Sequence, residues 1–225
     1  MSTISVTPAI RRWLPFLFLL LLLTGPFAEV GVRQRLIVWH DPEATLTLLR
    51  AHRSLFGLGI GAFLVMVLAD LPIAVLLYDW LRKGDVALVV LMAGARGGYA
   101  LVKVTALSGL LLVYQGLHLQ PDNQSTATDR VMDWLTFHDL GFSLGLVLFG
   151  GHLMALALLV GRYTAVPRWI SWLLGIAGAG YTLNSLIHVF FPYAGAWQSG
   201  ALAVFGIPMT FAELLLAWWI WQRRP

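Results

Sequence analysis

Leu55 to Leu81 reads LFGLGIGAFLVMVLADLPIAVLLYDWL, and this stretch decides the fold. It exceeds the ~20 mostly apolar residues that a helix needs to cross a bilayer. Only Asp70 and Asp79 carry charge within it. A soluble surface helix would show a polar stripe at the 3.6-residue period. A transmembrane barrel strand would alternate apolar and polar residues over ~10 positions. Neither pattern is present, so the stretch reads as a lipid-buried helix, whose backbone groups are satisfied within the segment.

Working outward, five more runs qualify: about 13–32, 86–115, 136–161, 168–191 and 200–221, with the quoted run occupying 55–81. The expected fold class is all-α, a polytopic transmembrane bundle of six spanning helices forming one domain over residues 1–225. Composition agrees. The chain is 59% hydrophobic and 12% charged, about half the ~25% charge of soluble domains. It contains no cysteine, which excludes disulfides, thiolate metal sites and cysteine nucleophiles. Arg11 and Arg12 before an apolar run resemble a signal peptide, but no small-x-small cleavage site follows Thr24-Gly25-Pro26. A retained first span is therefore expected, with a cleaved signal as the alternative.

Within the 33–54 link, Asp41-Pro42-Glu43 begins a stretch whose Leu46, Leu48 and Leu49, with Leu55 just beyond it, have the pattern of a short interfacial helix. Residues 118–134 are polar and carry Pro121-Asp122-Asn123, a loop signal. Arg11, Arg12, Arg82, Lys83, Arg162, Arg168, Arg223 and Arg224 fall on one side of the membrane. Arg33, Arg35, Arg50, Arg53 and Arg130 fall on the other. The excess places both termini in the cytoplasm, and the expected location is a bacterial cytoplasmic membrane. No basic run interleaves with aromatics in a polar setting, so nucleic acid is not an expected partner. The expected partners are the lipid bilayer and a small-molecule or lipid ligand; the oligomeric state is left open.

Charges at membrane depth are costly and mark function by default. Counting a rise of about 1.5 Å per residue from the cytoplasmic end, Asp70, Arg96, His152 and Glu213 share one layer near the midplane. A second, outer layer holds Lys103, His138, Asp139, Asn184 and His188. Arg96, Tyr99 and Lys103 lie on one helix face, as do Tyr181, Asn184 and His188. Two readings of the central layer stand side by side: an Asp70–Arg96 pair clasping the bundle, or a polar site or proton path. Ala69-Asp70-Leu71 and Ala212-Glu213-Leu214 occupy similar places on even spans, as a three-hairpin repeat or by chance among leucine-rich helices. Pro72 and Pro208 each free a carbonyl beside an acidic residue.

No catalytic residue is expected. Gly141-Phe142-Ser143-Leu144-Gly145 fits G-x-S-x-G, but a nucleophile elbow needs a strand and a strained turn. Inside a spanning helix, Gly141 and Gly145 form a packing face instead. Gly175 with Ala179 reads the same way. No cofactor is expected. His138 and His188 are the alternative: axial haem ligands, or a metal site with Asp139. Asn123-Gln124-Ser125 is a glycosylation sequon.

Three segments resemble the bacterial membrane proteins of domain-of-unknown-function family 4386: LPIAVLLYDWLR (71–82), FHDLGFSLGLVLFGG (137–151) with His152, and VPRWISWLLGIAGAGYTLNS (166–185). The resemblance covers nearly the whole chain. It matches His138 opening the fourth span, Gly151-His152 within it, and Arg96 in the third. Where members often carry an aspartate, this chain has Asn184. The resemblance implies the six-span architecture and carries no activity. The expectation is a non-enzymatic binding, transport or accessory role using the interior polar site. The alternatives are a membrane redox or metal-dependent enzyme at the outer histidines, and a structural subunit of a membrane complex.

Overall fold

The computed structural model describes residues 4–117, 124–191 and 195–223, without the side chains of 124–127, 195–199 and 201–203. The Pro121-Asp122-Asn123 signal, part of the sequon and Arg224 lie outside the described residues. Six helices are long and apolar enough to cross a membrane. The spans are Pro8–Leu36, Arg53–Leu81, Val86–Gly116, Gln124–Tyr163, Arg168–Phe190 and Gly195–Gln222. They are called the first to sixth spans below.

Each span packs on its neighbours in sequence, and the first also packs on the sixth. The result is a closed ring of six helices around a central axis. The Arg11 side chain donates to the Arg223 carbonyl (3.1 Å), and the Ile4 amide donates to the Tyr163 carbonyl (2.7 Å). Both termini, the Arg82–Asp85 turn and the Tyr163–Pro167 turn therefore lie at one end, the terminal face.

Two boundaries differ from expectation. The first span does not end near residue 32. After Pro26 it continues through a π-helical turn, Phe27–Arg33, to Leu36. Proline is tolerated inside a spanning helix where local 3₁₀ or π adjustments re-satisfy the backbone, and here the π-helical turn directly follows Pro26. Arg33 thus lies inside the bundle and not in a link. The fourth span begins before residue 136, because the polar 118–134 link is already helical from Gln124. Val131 and Leu135 on that extension are buried.

The interfacial helix is present as Pro42–Ala51, capped by Asp41, whose Oδ1 accepts from the Ala44 amide (2.9 Å). Leu46 and Leu49 are buried, and the helix packs on the second and fourth spans at the far face. Helix crossings follow small residues. Ala106 meets Gly141, where an added Cβ would come within 2.8 Å of its own Cβ. Gly145 faces Tyr99. On the fourth and fifth spans the closest approach is Gly150 to Gly178, where a Cβ on either would lie 2.5–2.6 Å from the other's carbonyl oxygen. Gly175 makes only ordinary contact with Ala157 (3.7 Å), so the tight crossing falls one turn from the expected one.

Candidate functional site

The four midplane residues meet in one cluster. Arg96 Nε donates to Asp70 Oδ1 (3.0 Å), and Nη2 lies 2.9 Å from the same oxygen. Nη1 donates to Glu213 Oε1 (2.6 Å). The guanidinium lies between the rings of Phe18 and Phe149, 5.5 and 5.4 Å from their centroids, within cation–π range. Arg96 is fully buried.

Hydrogen-bond logic fixes the His152 tautomer. Its Nδ1 is 2.8 Å from the Met92 carbonyl, which only accepts, so Nδ1 carries the proton. Nε2 is 2.9 Å from Arg96 Nη1, which only donates, so Nε2 is the bare acceptor. His152 therefore ties the arginine to the backbone of its own span. The 3.9 Å separation of Nε2 from Glu213 Oε1 is proximity across the shared Nη1 and too long for a hydrogen bond.

Above this cluster, toward the far face, lies a cavity of about 340 Å³ to which all six spans contribute. Its polar wall comprises Asp70, Glu213, Lys103, Tyr99, Tyr181 and Glu29. Asp70 directs both arginine contacts to Oδ1, and Oδ2 is buried with no partner among the described residues. Lys103 was expected in the outer layer. Its Nζ donates to the Tyr99 hydroxyl (2.6 Å) and approaches Met66 Sδ (3.5 Å), and it lines the same cavity as the midplane acids. The Tyr181 hydroxyl donates to the Met209 carbonyl (2.9 Å), next to Pro208. Below the cluster, toward the terminal face, Leu14, Leu77, Leu156, Leu174, Leu216 and Ile220 are sealed in one apolar core. The interior is thus a cup with a charged floor and an apolar plug beneath it.

The expected outer layer divides. Asp139 joins a second network: its Oδ1 accepts from Arg33 Nη1 (2.6 Å) and its Oδ2 from His188 Nε2 (2.6 Å). Arg33 also forks onto Glu29 through Nε and Nη2 (2.8 and 2.7 Å). The planar, five-donor guanidinium suits this bidentate geometry. His138 points elsewhere. Its Nδ1 donates to the Ala106 carbonyl (3.1 Å), and its ring packs on Phe63 and Phe142. The two candidate haem or metal histidines thus have different partners. Among the described residues, no three His, Asp or Glu side chains gather as a metal site. Asn184 is half-buried, and its Oδ1 has no partner among the described residues.

Sequence reading missed Glu29 and Arg33. Their signal was a Glu–Arg pair at i, i+4, hidden because the apolar run was closed at residue 32.

A family model described as "Domain of unknown function (DUF4386)" matches residues 16–221. An uncharacterised protein of Archaeoglobus fulgidus is 28% identical over 177 residues, covering 79% of this chain and 89% of its own. That organism is an archaeon, so the similarity is not confined to bacteria. No solved structure matches the chain.

Proposed function

The chain belongs to the DUF4386 family, and on that premise we propose that this multi-pass membrane protein binds a small solute in its central cavity. One observation carries the reading. The charged floor opens onto a cavity of about 340 Å³, and Asp70 Oδ2 there has no partner among the described residues. That volume lies within the ~300–1,000 Å³ of small-molecule sites, which combine apolar walls with a few convergent polar groups. Glu213 and Asp70 supply acceptors. Lys103 supplies a donor, since an ammonium has three and Tyr99 and Met66 Sδ take two. A solute with a donor group at one end and an acceptor at the other matches this wall. Entry is between the first and sixth spans, where Val30 and Thr210 line the cavity and are exposed, because apolar cores close the terminal half and the far half between the second, third and fourth spans. Transport requires that plug to part, with Asp70 and Glu213 as its coupling acids. The excess of basic residues at the terminal face supports cytoplasmic termini.

The test is full-length protein purified with whatever solute it retains. Wild type is expected to yield a stoichiometric small molecule by mass spectrometry. Asp70→Asn and Glu213→Gln are expected to remain folded and to lose it. Loss of folded protein in both variants, with no retained solute in wild type, would favour the clasp reading.

A further inference from the structure

A second groove lies on the outside of the ring, between the fourth and fifth spans, with a volume of about 670 Å³. It is separate from the central cavity. The fourth span supplies Met154 to Arg162, and the fifth supplies Arg168 to Ala179, with Phe205 of the sixth at its upper end. At a rise of about 1.5 Å per residue, these segments run about 12 and 16 Å along the membrane normal. That is one leaflet of a hydrocarbon core of about 30 Å. The groove begins at the terminal face and ends near mid-membrane.

Its two ends differ in chemistry. The upper part is apolar and open to lipid: Met154, Leu158 and Ile176 are exposed. Small residues cut its depth. Ser171 sits against Gly161, with its hydroxyl satisfied by the Ala157 carbonyl (2.6 Å). The lower end carries Arg162 and Arg168. Four other basic residues of the same face have partners. Arg82 pairs with Asp79, Arg11 bonds the Arg223 carbonyl, and Arg12 and Arg223 lie over Trp13 and Trp219. Arg162 and Arg168 form no salt bridge among the described residues. Two exposed guanidiniums at headgroup level, at the foot of an apolar channel one leaflet long, match one molecular shape.

We infer that this groove binds an anionic phospholipid of the terminal-face leaflet, with its phosphate between Arg162 and Arg168 and one acyl chain along Met154, Leu158, Gly175 and Ala179. Basic sites between spans recognise anionic headgroups in this way, with each arginine adding attraction. The planar fork of arginine suits phosphate oxygens. The chain provides the apolar contact that a free phosphate lacks.

The experiment uses full-length protein in nanodiscs or mild detergent, titrated with phosphatidylglycerol or phosphatidylcholine, and counts retained lipid by native mass spectrometry. Wild type is expected to retain one phosphatidylglycerol in preference to phosphatidylcholine. The double substitution Arg162→Gln, Arg168→Gln should weaken that binding by roughly thirtyfold. Gly175→Leu leaves all charges in place and fills the channel, and should also displace the lipid. If Gly175→Leu does not fold, Ala179→Leu, on the exposed lip, repeats the test. Equal retention of the two lipids would overturn the inference. So would undiminished binding in the arginine variant, or displacement of the lipid by inorganic phosphate at millimolar concentration.

Discussion

The same four-part arrangement occurs at two depths. In the central cluster Arg96 bridges Asp70 and Glu213 and contacts His152. In the outer network Arg33 bridges Glu29 and Asp139, and Asp139 holds His188. Burial separates them. The Arg96, Asp70 and His152 side chains are 0%, 1% and 0% exposed, with Glu213 at 18% on the cavity side, whereas Arg33, Asp139 and His188 are 15%, 16% and 31% exposed. The histidines also differ in role. His152 accepts from its arginine, whereas His188 donates to its carboxylate. A charge sealed from water depends on its partners, while one near water can exchange them for solvent. The Arg96–Asp70 pair therefore depends more on its partners than the outer network does. Glu29 connects the two regions, since it belongs to the outer network and lines the central cavity.

This comparison predicts a ranking. Arg96→Leu should have the largest effect, about 3–5 kcal/mol, because it leaves the sealed Asp70 carboxylate without its ion-pair partner. Denaturant unfolding of the purified protein measures it. Arg33→Leu should cost less, about 1–3 kcal/mol, the range for hydrogen bonds to charged groups. Equal losses at the two arginines would break the comparison. Glu213→Gln keeps an acceptor for Arg96 and should stay within about 1–2 kcal/mol of wild type, while abolishing solute retention. His188→Ala should be smallest, under about 1 kcal/mol, as for half-exposed pairs. Salt sharpens the contrast further. Between 0.1 and 1 M the screening length falls from about 10 to 3 Å. The cost of Arg33→Leu should shrink over that range, and that of Arg96→Leu should hold.

The ring of six spans was legible because hydropathy reports length and continuity, and these fix the number of crossings. The inner cluster was legible for a related reason: Asp70, Arg96, His152 and Glu213 interrupt apolar runs, and a constant helical rise converts their positions to depth. What failed depended on side-chain direction. Lys103 was assigned to the outer layer by its Cα, but its flexible stem brings the ammonium to Tyr99 on the cavity wall, a displacement long charged side chains allow. His138 and Asp139 were grouped by depth, yet consecutive residues on a helix point about 100° apart, and the two face different spans. Arg33 was counted in a link because the apolar run was closed at residue 32. The π-helical turn carries the helix past that point to Leu36. That change also removes Arg33 from the far-face basic residues, which strengthens the charge asymmetry used for orientation.

The central claim is that the charged floor borders an accessible cavity above a sealed plug. The chain has no cysteine, so single cysteines report on it without background. Met66→Cys lies in the cavity wall and is almost wholly buried from lipid, and Leu77→Cys lies in the plug. A charged, water-soluble methanethiosulfonate reagent, added to folded protein in membranes, should modify Met66→Cys and leave Leu77→Cys untouched until denaturation. Protection of both positions until unfolding would contradict the account and leave the cluster as a clasp.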